Sequence, residues 1–400
     1  MTRAFEGIKV VDFTQVLAGP FATQHLAFLG ANVVKVEPPA KGEGGRHIRS
    51  AVDRSPPNMS APFLSVNAGK RSMTLDLKNA EAASVVRRLV EQSDVVVQNY
   101  KVGVMRRLGL DYDAVREFNP SIIYCSISGY GQQGPRAEAP AYDPAVQSAS
   151  GMMHLIGTAE SGPLRTGFPL VDMTTGLTAA IAIMGALYRR RETGEGQHLD
   201  VAMLDSAMSL LAFSFMLYQQ SGQEPELLGN QSQLRIPTAD VFPTKDGFIQ
   251  ITALTDAQVS ALCEALELGH LMRDPKFQDT PGRTQNNAEM RGQLVDAFAA
   301  KSAAEWEEIL ARAQVPASAV LRIPEALHHP QLGYRDFLRD VTPPGFTDPI
   351  KVFNAAYGAS EDAPDVARPP PAVGEHTAEV LSEFGFSDGE ISSLSERNVI

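Results

Sequence analysis

Ile8-Lys9-Val10-Val11-Asp12-Phe13, then Pro20 to Leu29, then Ala31-Asn32-Val33-Val34-Lys35-Val36-Glu37, is the stretch that decides the fold class. The outer runs are apolar and β-branched, as buried strands require. The segment between them has helical length, with Pro20 in its first turn. Strand, helix and strand at this spacing make a βαβ unit, so the chain reads as α/β with a parallel sheet. The rhythm recurs with strands at 72–77, 94–99, 121–127 and 198–203, and with helices at 80–92 (Asn79 as cap), at 145–152 and from Thr174 onward. Another apolar helix is expected from Asp205 to Tyr218. A dinucleotide site would use Glu37 on the ribose, but the first turn, Thr14-Gln15-Val16-Leu17-Ala18-Gly19-Pro20, has no G-x-G-x-x-G to cradle a pyrophosphate, which disfavours NAD. A turn at the carboxyl end of a strand is still where open α/β sheets take ligands.

Composition sets further bounds. A chain of 400 residues with 44% apolar content supports more than one domain. The formal net charge of −12 argues against a nucleic-acid partner held by bulk electrostatics, so any anion site must be built locally. Cys125 and Cys263 stand far apart without metal-ligand spacing and read as reduced core thiols, and no metal is expected. The longest apolar run, Leu177 to Leu187, falls short of the roughly 20 residues that span a bilayer, and the N-terminus shows no signal-peptide core. No membrane partner is expected, and the reading is cytoplasmic.

Residues 38–62, rich in Gly and Pro, read as a surface loop made positive by Arg46, Arg49 and Arg54. Lys101, Arg106 and Arg107 follow strand 94–99 directly and suit a phosphate-bearing ligand as well as they suit a solvated helix face. Ser128 to Pro135 is a glycine-punctuated loop through which backbone can approach a ligand. Arg165 to Gly176 holds one carboxylate, Asp172, just before a helix that is apolar nearly all round and is therefore expected to be buried against the sheet. A helix starting near Thr174 would direct its free N–H groups at Asp172 and favour the charged form, which makes it either a nucleophile or a cap. His154, His198 and Trp306 read as structural. The domain reading is 1–225 for a large domain, 226–329 for a small α/β domain with 221–235 leading into it, and 330–400 for an extended Pro-rich segment.

Taken together, several blocks resemble the class III CoA-transferases, the CaiB/BaiF family that includes formyl-CoA and carnitine CoA-transferases. They are Val16 to Thr23, Leu29 to Pro39, Asn67 with Lys70-Arg71-Ser72, Leu75 to Lys78, Asn99, Leu108-Gly109-Leu110, Ser128 to Gly131 with Gly134-Pro135, Pro169 with Asp172, and Thr193 to Gln197, in order over residues 5–205. The resemblance implies a Rossmann-like large domain, a smaller domain, a C-terminal segment returning to the large one, and an interlocked homodimer. It makes Asp172 the catalytic aspartate, which accepts the acyl group as a mixed anhydride and then CoA as a thioester before passing CoA to a carboxylic acid. Oxyanion donors are sought in Gln15, Val16 to Ala18 and the Gly129–Gly134 loop. By position, CoA contacts carry over to Gln15, Val16, Leu17, Ala18, Leu75, Lys78, Asn99, Tyr100, Val104 and Arg107. Acyl-CoA is a substrate here, and no prosthetic group is implied. Pro38 and Pro140 replace basic residues of formyl-CoA transferases, and 229–233 lacks their glycine-rich loop, which leaves 229–236 as a candidate lid. Acyl-CoA racemases, the alternative, place a histidine beside an aspartate where this chain has Tyr142-Asp143.

Overall fold

The computed structural model describes residues 3–400. They form two compact units: residues up to Met152 with Thr166–Phe213 and Pro330–Ile400 make the first, and Met153–Arg165 with Ser214–His329 make the second. The division falls after Phe213 rather than at 225, and Met153–Arg165 goes with the second unit. The expected helix 205–218 is two helices, Met203–Leu210 and Ala212–Ser221.

In the first unit β1 (Lys9–Asp12), β2 (Asn32–Glu37), β3 (Arg71–Thr74), β4 (Val95–Gln98), β5 (Ile123–Ser128) and β6 (Gln197–Ala202) form one parallel sheet in the order β3-β2-β1-β4-β5-β6. This is the doubly wound order of nucleotide-binding folds, and its direction reverses between β1 and β4. Successive strand residues go to opposite faces. Val10, Val33, Val95 and Val97 meet α1 (Ala18–Phe28) and α4 (Leu170–Thr193) on one side. Val11, Val34 and Val96 meet α2 (Ala82–Glu91) on the other, together with Val380, Leu381 and Phe384 around α5 (Thr377–Glu383) and Leu394 of α6 (Asp388–Glu396). Residues 377–400 therefore complete one face of the sheet. Arg71 fixes them with ion pairs to Glu379 and Glu383, both at 2.7 Å, and the Asp76 N–H donates to the Val399 carbonyl at 2.8 Å. The Pro-rich segment also holds an unexpected antiparallel pair, Leu338–Val341 with Ile350–Phe353.

Two expectations need correction. Arg46 is not a surface cation, since it is fully buried with its guanidinium on Glu37 (2.6 Å to each carboxylate oxygen) and over the Phe63 ring at 3.6 Å. This also removes Glu37 from any ribose-binding role. Nor does α4 bury its whole apolar surface against the sheet: Ala179, Ala180, Ile183 and Leu187 are covered, while Leu177, Ile181 and Tyr188 are 44%, 65% and 72% exposed. α4 has 24 residues and its most apolar 18-residue window has a mean hydropathy of 1.6, which is long and apolar enough to cross a membrane, a weak signal that a half-buried core helix gives equally.

The second unit has its own antiparallel sheet, Ala239–Pro243, Phe248–Thr252 and Ala317–Ala319, covered by helices Asp256–Ala265, Asn287–Phe298 and Ala303–Arg312. Trp306 is core there, its indole N–H donating to the Phe298 carbonyl at 2.9 Å, and Cys263 is buried beside it in the same cluster. Cys125 is a residue of β5 whose side chain joins the core against α1 and α4, where burial pushes its thiol up to about 12.

Candidate active site

Where the strand order reverses, the turns after β1 and β4 face each other across a crevice. Asn99 clamps them: its Oδ1 accepts the Gln15 N–H and its Nδ2 donates to the Gln15 carbonyl, both at 2.8 Å. The next residue, Val16, has φ 68°, a left-handed conformation that a β-branched side chain rarely tolerates. Its N–H donates to Glu43 Oε2 at 3.1 Å, and the same oxygen accepts from the Gly45 N–H at 2.5 Å. Lys35 Nζ lies 3.7 Å from Glu43 Oε1 and donates to the Thr14 carbonyl at 2.7 Å. Beneath them Asp12 accepts from Lys70 Nζ at 3.1 Å, Thr14 Oγ1 at 2.5 Å and Thr23 Oγ1 at 2.7 Å. Burial by itself would raise the Asp12 pKa, but Lys70, Lys35 and the two hydroxyls hold it below the usual carboxylate range.

The other wall is the start of α4. Its first residue is Leu170, with Pro169 before it, so Asp172 is the third residue of the helix and not a group ahead of it, as a start at Thr174 would have made it. The cap comes from elsewhere in the chain. Asp143, at the start of α3 (Asp143–Ala149), accepts from the N–H groups of Val171 at 2.7 Å and Asp172 at 3.0 Å through Oδ2, and from Gln147 Nε2 at 2.5 Å through Oδ1. Asp143 thus does the capping that had been weighed for Asp172. The charged form of Asp172 is not favoured either: burial, then the Asp143 charge, pushes its pKa up to about 7. The dipole of α4 is outweighed because the first N–H groups are already spent on Asp143. Gly176, one turn further on, brings α4 onto α1, since a Cβ there would sit 2.7 Å from the Ala18 carbonyl oxygen and 3.0 Å from the Phe21 ring.

These walls enclose a cavity of about 380 Å³. Gln15, Val16, Leu17, Ala18, Asn99 and Tyr100 line it with Asp172, joined by Ser128-Gly129, 137 and 139–142, and Met203. Asp172 is the one acidic residue and Lys101 the one basic residue in that lining. Tyr100 also lines a neighbouring cavity of about 380 Å³ with Leu75, Lys78, Pro38, Pro39 and Asn398. Eight of the ten residues singled out for CoA therefore line one of these two spaces, which share Tyr100. Val104 and the exposed Arg107 line neither. Lys101 and Arg106 border a third space of about 240 Å³, where His198 stacks on Tyr112 (ring centroids 5.3 Å apart) and shares a 2.9 Å hydrogen bond with Ser126 Oγ.

The oxyanion candidates narrow accordingly. Within the first turn the N–H of Gln15 is taken by Asn99 and that of Val16 by Glu43, which leaves those of Leu17 and Ala18 at the open end of α1, while in the 129–134 loop the Gln132 N–H is taken by Asp200 and Gly129 lines the cavity. Glu43 escaped the sequence reading, and Asp143 entered it only beside Tyr142 and not as the cap of α4, although an acid directly ahead of Gly44-Gly45 and an Asp-Pro pair opening a helix are both recognisable turn and cap signals.

Fold and site together define a doubly wound α/β protein whose ligand crevice presents a lone aspartate. The chain belongs to CoA-transferase family III, whose family model matches residues 5–377, and is thus a family III CoA-transferase. It is 37% identical to an acyl-CoA transferase of Fusarium pseudograminearum over 99% of this chain and 88% of that one. It is 36% identical to the succinate–glutarate CoA-transferase of Agrobacterium fabrum, covering 94% of this chain and 95% of the relative. The crystal structure of a CaiB/BaiF family protein from Brucella suis superposes with a TM-score of 0.85 at 33% identity, covering 96% of this chain and all of the other.

Proposed function

We propose that this enzyme moves CoA from an acyl-CoA to a free carboxylic acid through covalent intermediates on Asp172. The observation that carries the reading is the cavity at the strand-order reversal, in which Asp172 faces the residues singled out for CoA. An Asp172 carboxylate oxygen attacks the thioester carbonyl, the C–S bond breaks, and CoA leaves as thiolate from a mixed anhydride. The thiolate then attacks the aspartyl carbon, releasing the donor acid and leaving an aspartyl-CoA thioester. The acceptor carboxylate attacks that thioester, CoA leaves again, and the thiolate finally takes the new acyl group and frees Asp172. No net proton moves, so the enzyme needs an ionised nucleophile and oxyanion donors rather than an acid–base pair. Leu17 and Ala18 N–H groups supply the donors.

Racemisation would need two bases on either side of an α-carbon. Tyr142 stands where racemases place histidine, Asp143 is occupied as the cap of α4, and no histidine is among the residues lining the cavity. The exposed apolar side of α4 (Leu177, Ile181, Tyr188) fits burial in a homodimer, and the interlocked form follows from the resemblance. The test is a panel of acyl-CoA donors against free acids, short dicarboxylic acids first because a relative's name pairs succinate with glutarate. New thioesters are read by mass spectrometry, with Asp172→Asn as control. Exchange by the wild type and none by the control is expected, whereas equal exchange by both would overturn the covalent route.

A further inference from the structure

Beneath the first turn lie six charged side chains, Asp12, Lys35, Glu37, Glu43, Arg46 and Lys70, none more than 2% exposed. A buried ion pair contributes little to stability beyond a well-packed apolar replacement, so a cluster of this kind calls for another role. The contacts specify one. Glu43 is held from behind by its own N–H on Glu37 Oε2 (3.0 Å), which Arg46 grips in turn. Among the described residues its Oε1 has no hydrogen-bond partner, with Lys35 Nζ no nearer than 3.7 Å, while its Oε2 reaches forward to the N–H of the strained Val16. The residues on each side of that N–H are already fixed, Gln15 by Asn99 and Ala18 by the start of α1. Val16 is the link that would relax if released.

We infer that Glu43 is a positioning residue for the transfer reaction: by holding Val16 in its left-handed conformation it aims the Leu17 and Ala18 N–H groups at the oxyanion that forms opposite Asp172. A non-glycine residue in this conformation persists only when its surroundings impose it. Released, the turn relaxes toward an ordinary conformation and its donors swing off the developing charge. Binding of the distant nucleotide end of CoA, which rests on Leu75 and Lys78, is untouched. The cost falls on the chemical step, where a misplacement of 1 Å is enough to lose about 100-fold.

The inference rests on the Asp172 mechanism, and its test is built to fail separately. Wild-type enzyme given acyl-CoA without acceptor should load Asp172 with an activated ester; absence of loading would sink the mechanism itself. With loading established, Glu43→Met removes the acceptor of the Val16 N–H, which a glutamine oxygen would still supply, and should slow loading and kcat roughly 10- to 100-fold while leaving the acyl-CoA KM within about threefold. Gly45→Ala gives the same readout without removing a buried charge, because the new Cβ would lie 2.7 and 2.9 Å from the two Glu43 carboxylate oxygens and push them away. It carries the test if Glu43→Met does not fold. Val16→Gly supplies the decisive cycle. Glycine adopts φ near +68° without strain, so Glu43→Met should cost much less in that background than in the wild type. Near wild-type kcat in folded Glu43→Met or Gly45→Ala, or an equal loss in both backgrounds, overturns the inference.

Discussion

Asp12 and Asp172 are two aspartates withdrawn from water in the same unit, and the protein treats them oppositely. Asp12 is fully buried, paired with Lys70, bonded to Thr14 and Thr23, and held below the ordinary carboxylate range. Asp172 is half-buried, is faced by another acid, Asp143, and is pushed up to about 7. A carboxylate whose lone pairs are all engaged is part of the scaffold. One kept without a cation retains its electron pairs for a substrate, at a cost in stability.

The largest effect that tests this contrast is Asp172→Asn. Exchange should fall by roughly three orders of magnitude or more, because an amide forms no anhydride. The fold should tighten rather than loosen. Asp172 has a folded pKa above its unfolded one, so the native state binds the extra proton between about pH 4 and 7, and stability drains away as pH rises through that window. Above pH 7 the asparagine variant should therefore be more stable than wild type by about 1–3 kcal/mol, discounted from the full shift because the cavity is open to water. Urea melts at pH 5 and 8 measure this, and a variant less stable than wild type at pH 8 would break the contrast.

Asp12→Asn should do the reverse. It leaves Lys70 buried without its counter-charge and should cost about 3–5 kcal/mol at neutral pH, read as a lower denaturation midpoint. The wild-type contribution of Asp12, whose folded pKa is depressed, is present above the unfolded pKa and lost as pH falls through the folded one. The Asn and wild-type curves should accordingly converge in acid.

Asp143→Asn sharpens the comparison. The amide oxygen can still accept from Val171 and Asp172, but the like charge is gone. The wild-type kcat/KM for acyl-CoA should rise with pH through a midpoint near 7 as Asp172 ionises, and in Asp143→Asn that midpoint should fall by about one unit. An unmoved midpoint would mean that burial alone sets it. The smallest effect belongs to the cations: Lys78→Ala should raise the acyl-CoA KM several-fold with kcat nearly unchanged, and Arg107→Ala, which lines neither cavity, should do less.

How much of this was legible follows from the range of the interactions. The βαβ rhythm, the switch-point turn and the prominence of Asp172 rest on strand and helix periodicity within a few residues, or on resemblance, and were readable. The start of α4 was not, because Thr174 looks like a local cap whereas the real one comes from Asp143, 29 residues before Asp172. Arg46, in a stretch of Gly, Pro and charge, reads as solvated until Glu37 and Phe63 are seen to enclose it. Val104 and Arg107 were carried over by position alone, and position does not say which way a short helical turn faces. The strain at Val16 has no sequence signal, since valine is the residue least suited to its φ.

The most direct measurement is chemical trapping. Wild-type enzyme mixed with acyl-CoA and no acceptor, quenched with hydroxylamine and digested, should yield a hydroxamate on the peptide containing Asp172, in amounts that grow with pH through the region near 7. Catalytically competent enzyme that gives no hydroxamate on Asp172, or gives it on another carboxylate, would contradict the account.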